Sequence, residues 1–225
     1  MIVIPIMKKY YRAYDNRYKT IHHKGHMWSS DNPTPLVMDV LKRYKVGKGN
    51  ILEIGCGEGR DSIVLLEQGY NLLATDISPE AIRYSQYKHP EFRDSFQVLD
   101  CINDRHNHKY DFIFAVAVLH MLVVDSDRQK LYQFIYKHLN EDGKALILTM
   151  GDGEFEMQSD IKEAFQLKVR EHEIGKVKVA ATSCRIVSKD TFTKELLDNG
   201  FQIIESGITE SMPDFDKLMY AVIKK

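Results

Sequence analysis

The chain reads as an α/β protein, a three-layer sandwich in which helices cover both faces of a mostly parallel β-sheet. Three observations predict it. Short apolar runs alternate with helical segments between residues 50 and 150. The first run passes straight into a helix through glycines at 55, 57 and 59, residues that tolerate the backbone angles of so sharp a turn. The next two runs end on Asp76 and Asp100, at the carboxyl edge where open sheets of this kind bind ligands.

Taken in order, Thr34 stands where a helix cap belongs and Pro35 suits the first turn, so a helix is expected over residues 36–44. Residues 51–54 form the first strand, and residues 61–68 a helix stopped by Gly69. A second strand covers 72–75. Ser78 caps and Pro79 opens the helix that follows. Strands at 96–99 and 110–116, a helix at 127–139 and a strand at 144–150 continue the alternation. Residues 151–187 break the repeat and are read as an insertion, with a helix over 160–169 and β character over 177–187. Within the latter, Val177, Val179, Ala181 and Ser183 alternate with their neighbours. A helix at 189–197, a stop at Gly200 and strands at 202–205 and 218–223 complete the pattern. Right-handed crossovers place the strand C-termini along one edge. No repeat or linker divides the chain, so residues 1–225 are read as one domain with an N-terminal, lid-like segment at 1–34.

Composition narrows the function classes. Hydrophobic residues make up 44% and charged residues 28% of the 225 positions, ordinary for a globular enzyme with a sizeable core. Thirty-one Lys and Arg balance 32 Asp and Glu, a net charge of -1. No overall field gathers polyanions, and no nucleic-acid partner is expected. Cys56, Cys101 and Cys184 form no CxxC pair. That argues against a disulfide framework or zinc site and for a reducing, cytoplasmic setting. The apolar opening from Met1 to Met7 breaks at Pro5 and runs into Lys8, Lys9 and Arg12, so it is read as neither signal peptide nor anchor. No other stretch approaches the ~18 apolar residues of a membrane span. No feature sets an oligomeric state.

The glycine spacing separates two cofactor classes. A dinucleotide loop, GxGxxG, needs its third glycine at position 60, which is Arg60. Here Glu53 precedes glycines at 55, 57 and 59. A carboxylate at Asp76 can accept two hydrogen bonds from a ribose diol. One at Asp100 can accept from an adenine amine, as acidic side chains do from base amines elsewhere. Together these features suit an adenosine without a pyrophosphate.

At these residues the sequence resembles the class I S-adenosylmethionine-dependent methyltransferases. The matching stretches are ILEIGCGEGRD from Ile51, LATDIS from Leu73, FQVLD from Phe96 and YDFIFAVAVLH from Tyr110, with closing strands after Gly200. The resemblance implies a Rossmann-like, seven-stranded sheet with an antiparallel last strand. It implies S-adenosylmethionine as cofactor and S-adenosylhomocysteine as product. It also implies that Gly55, Cys56, Gly57 and Gly59 line the methionine end and that Glu53 orients the loop. Asp76 would hold the ribose and Ile77 pack on the adenine. Asp100 and the Cys101 amide would meet the adenine edge, and Ala115 would lie beside the methionine ammonium. The Glu58 to Asp61 run, with Tyr14, Tyr18 and Trp28 upstream, looks more like the tellurite- and thiopurine-methyltransferase-like group, whose acceptors are small.

Other residues carry two readings each. Tyr10, Tyr14 and Tyr18 recur every fourth position, as a packed helix face or as a lid supplying hydroxyls; Tyr10 is assigned to packing, and Tyr14, Tyr18 and Trp28 to the lid. His120, after the fourth strand, serves either as a general base for the acceptor or as a structural loop histidine. His22, His23 and His26 have no carboxylate or cysteine at ligand spacing, so they are read as surface residues and no metal site is expected. Cys184 and Arg185 reach the substrate from the insertion. The resulting expectation is methyl transfer to a small-molecule nucleophile by in-line displacement. The alternatives are S-adenosylmethionine binding without turnover, and a nicotinamide-dependent oxidoreductase.

Overall fold

The computed structural model describes residues 9–210 and 214–225, so the apolar opening at residues 1–7 lies outside the described residues. Two helices, α1 (Ala13–His22) and α2 (Pro35–Arg43), precede the sheet. Then β1 (Asn50–Ile54), α3 (Arg60–Glu67), β2 (Asn71–Asp76), α4 (Pro79–Lys88), β3 (Phe96–Val98), β4 (Tyr110–Val116), α5 (Asp125–His138) and β5 (Leu139–Met150) alternate. The insertion holds β6 (Met157–Gln158), β7 (Leu167–Arg170), β8 (Val177–Ala180) and β9 (Arg185–Ile186). The chain closes with α6 (Lys189–Asp198), β10 (Gln202–Thr209) and β11 (Leu218–Lys224).

The main sheet has seven strands in the order β10-β11-β5-β4-β1-β2-β3. The pairs among β1 to β5 are parallel, and β11 is antiparallel to both its neighbours. The α/β, Rossmann-like class expected from the sequence is the one observed. Phe112, Ile113, Phe114 and Ala115 of β4 are all fully buried. Unbroken burial marks a strand covered on both faces: Ile113 and Ala115 join one core, Phe112 and Phe114 the other. Between β1 and β4 the strand order reverses, and at such a switch point a crevice opens beyond the strand ends.

Local chemistry sets most boundaries. The Ser78 hydroxyl caps α4 by accepting from the Ala81 amide at 3.1 Å. Thr34 occupies the cap position of α2 but makes no cap bond; its amide and hydroxyl donate to Asp61 at 2.5 and 2.8 Å. The insertion departs from expectation. Residues 160–169 form a single 3-10 turn, Ile161–Glu163, and then β7. Leu167 and Val169 there are 59% and 62% exposed. Ile161, Ala164 and Phe165 still pack on the core, but from Leu167 the backbone pairs with β8, antiparallel from Leu167↔Ala180 to Arg170↔Val177. The β region over 177–187 is interrupted after Ala180, with Thr182 at φ 63°, and resumes in β9, which pairs with β6. The strand expected at 202–205 continues to Thr209 along the sheet edge.

Candidate active site

A cavity of about 1000 Å³ opens at the crevice. Its floor comes from the glycine loop and the ends of β1 and β2. Gly55, Gly57 and Gly59 have φ of 75°, 55° and 91°, in the left-handed region. A Cβ at Gly55 would lie 2.3 Å from Val118 Cγ2, and one at Gly57 would lie 2.7 Å from the Tyr18 hydroxyl. The bare backbone therefore keeps this part of the cavity open. Asp76 sits under the loop, accepting from the Gly57 amide at 2.9 Å and the Ser78 amide at 2.7 Å. Burial pushes its pKa up to about 6 against those two bonds. Deeper still, Glu53 is 3% exposed and accepts from the Ser62 hydroxyl. Burial, then the nearby charge of Asp61, raises the Glu53 carboxyl well above the usual range.

Asp100 also borders the cavity and is buried. Burial favours its neutral form, but Asn103 and Lys9 outweigh that and hold its pKa below the usual range. Lys9 Nζ donates to Oδ2 at 3.0 Å, and the Ile102 amide to Oδ1 at 3.1 Å. Ile77, Cys56 and Cys101 line the cavity beside it. Burial raises both thiols, Cys101 to about 12, so neither is an ionised nucleophile at neutral pH.

Three expected residues lie elsewhere. Gly59 does not border the cavity: a Cβ there would face the Phe96 ring and Ser85 Oγ at 3.2 and 3.4 Å, in the α4–β3 packing. Ala115 is sealed inside β4, and the wall is made by Val116, Ala117 and Val118. Ala117, at φ 56°, is where the chain leaves the sheet, a strained turn the motif did not reveal. Arg185 points away toward α5, where Nη1 donates to the Val123 carbonyl at 3.1 Å and to Asp125. Its neighbours Cys184 and Ile186 line the cavity instead.

His120 borders the cavity at 5% exposure, with no hydrogen-bond partner for Nδ1. Burial, then the Arg128 charge, lowers its pKa to about 3. It is a neutral imidazole and a weak base. Arg128 itself fixes this turn, donating to the carbonyls of Leu119 and Leu122 at 2.9 and 3.3 Å while paired with Glu195 at 2.6 Å.

The N-terminal segment covers the glycine loop. Tyr14, Tyr18 and Trp28 border the cavity, and Trp28 Nε1 donates to the Tyr14 hydroxyl at 3.2 Å. Burial, then Asp76 and Glu58, raises the Tyr18 phenol well above its ordinary value, so it stays neutral. Tyr10 packs into the core, its hydroxyl donating to Asp127 at 2.9 Å.

His22 is not a surface residue. Its side chain is 2% exposed, with Nδ1 and Nε2 each 2.8 Å from a carboxylate, Glu80 and Glu58 respectively. Those partners lie 58 and 36 positions away, beyond any local spacing rule. Glu58 also accepts from the Trp28 amide at 2.7 Å and from the Ser29 amide and hydroxyl at 3.0 and 2.7 Å. Glu58 and Asp61 thus make the run after Gly57 a docking strip for residues 22–34. Among the described residues no group of three or more His, Cys, Asp or Glu could hold a metal ion, and no helix is long and apolar enough to cross a membrane.

The profile of a family described as a methyltransferase domain matches residues 30–206. The chain belongs to this methyltransferase-domain family. Juvenile hormone acid O-methyltransferase of Bombyx mori is 28% identical over 118 residues, 49% of this chain and 41% of that protein. The 2-heptyl-1-hydroxyquinolin-4(1H)-one methyltransferase of Mycobacteroides abscessus is 32% identical over 59 residues, 26% of each chain. The chain thus spans less than half the length of these curated relatives. The fold is shared with solved structures at low identity. The CcbJ methyltransferase of Streptomyces caelestis matches with a TM-score of 0.68 at 12% identity, over 95% of this chain and 98% of that one. The glycopeptide N-methyltransferase MtfA, complexed with S-adenosylhomocysteine, matches with a TM-score of 0.65 at 17% identity, over 89% and 92%.

Proposed function

We propose that this protein transfers a methyl group from S-adenosylmethionine to a small-molecule nucleophile. One observation carries the reading: a bare-backbone cradle at Gly55 and Gly57, with buried Asp76 beneath it and Asp100 beside it, at the switch point of the sheet. The donor set fits an adenosyl group, because the carboxylates of Asp76 and Asp100 face the cavity while Arg60, beside the loop, is already paired with Asp214 at 3.1 Å. Glu53, Gly55, Cys56 and Gly57 would hold the amino-acid end, Asp76 the ribose, and Ile77, Asp100 and Cys101 the adenine. Bound there, the cofactor supplies a methyl group on a positive sulfonium, ready for in-line displacement.

The chain's own residues position and shield. Orientation of two bound reactants can lower a barrier by ~7–11 kcal/mol, and a cavity of about 1000 Å³ leaves room for an acceptor beside a nucleoside. Tyr14, Tyr18 and Trp28 exclude water from the cradle side. His120, neutral at physiological pH, orients an acceptor as a hydrogen-bond acceptor rather than removing a tightly held proton. A nucleophile that arrives already ionised needs no base. Both curated relatives carry small molecules in their names, which supports the acceptor class. The Glu58 to Asp61 run and the aromatic residues ahead of it support the tellurite- and thiopurine-methyltransferase-like group as the finer placement. The three free cysteines suit a reducing, cytoplasmic compartment.

The test is acceptor-dependent formation of S-adenosylhomocysteine with a panel of thiols, amines, phenols and carboxylic acids. Turnover with any class supports the reading. Tight cofactor binding with no turnover across the panel favours a binding protein, and binding of NADH in its place overturns the cofactor.

A further inference from the structure

Charge along the cavity wall opposite the glycine loop is unevenly matched. Glu163 pairs with Lys168 at 2.8 Å, Glu173 with His26 at 3.3 Å, Glu171 with Lys176 at 3.8 Å, and Asp214 with Arg60 at 3.1 Å. Each acid on this side therefore has a basic partner. Two guanidinium groups that also border the cavity, Arg17 and Arg170, pair with no carboxylate among the described residues.

Arg17 is 6% exposed. It is gripped between the rings of Tyr14 and Trp28, at 4.7 and 4.5 Å from their centroids. Nε and Nη2 donate to the Ala180 and Ala181 carbonyls and the Thr182 hydroxyl at 2.7 to 3.1 Å. Those bonds fix its direction but leave its charge unopposed, and a buried cation without a counter-ion is costly. Arg170, at the end of β7, adds a second like charge, near enough to lower the Arg17 pKa further after burial has done so. The same cavity is also lined by the apolar side chains of Met27, Met121, Phe155, Met157, Ile186 and Phe215.

We infer that the acceptor is a small organic acid, its carboxylate held by Arg17 and Arg170 and its apolar body laid along the methionine and phenylalanine wall. Nε and Nη2 of Arg17 are already bonded to the protein, so Arg17 offers a carboxylate its charge and Nη1, while Arg170 offers a planar guanidinium fork. A cavity with apolar lining and a few convergent polar groups is the usual form of a small-ligand site. This inference rests on reading the cavity as an acceptor site beside an adenosyl cofactor.

Equilibrium binding of decanoate, 1-naphthylacetate and benzoate, each against its primary amide, tests it directly, with and without S-adenosylhomocysteine. At least one acid is expected to bind tenfold or more tightly than its amide. Arg170→Met should weaken that acid about tenfold while leaving the amide and S-adenosylhomocysteine unchanged; Arg17→Lys, which keeps the charge but not the bonds to Ala180 and Ala181 that aim it, should weaken the acid as well. Equal binding of acids and amides throughout overturns the inference, as does an Arg170→Met variant that loses S-adenosylhomocysteine but not the acid, since the guanidinium groups would then serve the cofactor. Acid binding that depends on Arg170 in a protein that binds no S-adenosylhomocysteine would keep the inference and sink the methyltransferase reading instead.

Discussion

The two sides of the cavity are built from different ranges of sequence. The glycine-loop side draws on residues 53–57, 76–77 and 99–102, each set at the end of a β-strand and fixed by the sheet behind it. The opposite side draws on α1, the strap at 27–30 and the insertion at 155–186, held by side chains that reach across the fold. On the first side backbone conformation does the positioning. On the second, a few buried charges do it: Glu58 alone takes four hydrogen bonds from residues 22–29. A strand-end motif therefore marks where a cofactor lies, while the acceptor's surroundings depend on contacts that a local pattern does not contain.

If the glycine side depends on bare backbone, filling it should have the largest effect. Gly55→Val puts a side chain into Val118 at a φ that β-branched residues avoid. Loss of S-adenosylhomocysteine binding by more than about 100-fold is expected, with a stability cost of about 2–4 kcal/mol in urea unfolding. Near-normal binding would mean the loop is not the cradle.

If the opposite side depends on buried charge, Glu58→Ala should release it, because His22 and two amides lose their acceptor together. A loss of about 3–5 kcal/mol is expected, with new proteolytic cleavage at residues 23–34. An unchanged cleavage pattern would show that the strap is held some other way.

The same clamp sets a pH dependence. Burial opposes charging of His22, but its hydrogen bonds to Glu58 and Glu80 prevail and raise its pKa. Its contribution to stability is thus fully present below the unfolded value of about 6.5 and is lost as pH rises through the higher folded value. The wild type should lose more stability across that alkaline window than His22→Gln, which keeps only the decline from the buried Glu53 carboxyl. A matching decline in the variant would assign the effect to another group.

The smallest expected effect probes the border between the sides. Lys9, 40% exposed, pairs with the buried Asp100, and because the ammonium keeps much of its water the pair is worth about 1 kcal/mol. Lys9→Met should free the carboxylate and tighten S-adenosylhomocysteine binding by up to about fivefold in a calorimetric titration. Weaker binding would remove Asp100 from the adenine site.

The sequence shows the sheet and its helices because their signals are local: apolar runs, Gly69 and Gly200 as stops, Ser78 as a cap. It also shows Asp76 and the glycines, since strand-end position carries their meaning. Ala115 misses the cavity because β4 runs on and the chain turns out at Ala117, a backbone angle that no residue type announces. Arg17, Glu58 and His22 were invisible for a related reason. Each is one charged residue among many in the chain, and only tertiary packing gives it a partner 36 to 165 positions away. The helix expected at 160–169 stops after one turn: Ile161, Ala164 and Phe165 reach the core, but from Leu167 the backbone is satisfied by β8, a pairing that a local pattern does not contain.

The most direct test of the central claim, that the glycine side is an adenosyl site, is calorimetric titration of S-adenosylhomocysteine into the wild type and Asp76→Ala. Saturable one-to-one binding is expected in the wild type, weakened about 10- to 100-fold in the variant by loss of a charge-assisted acceptor. No binding to the wild type, or equal affinity in both proteins, would contradict the account.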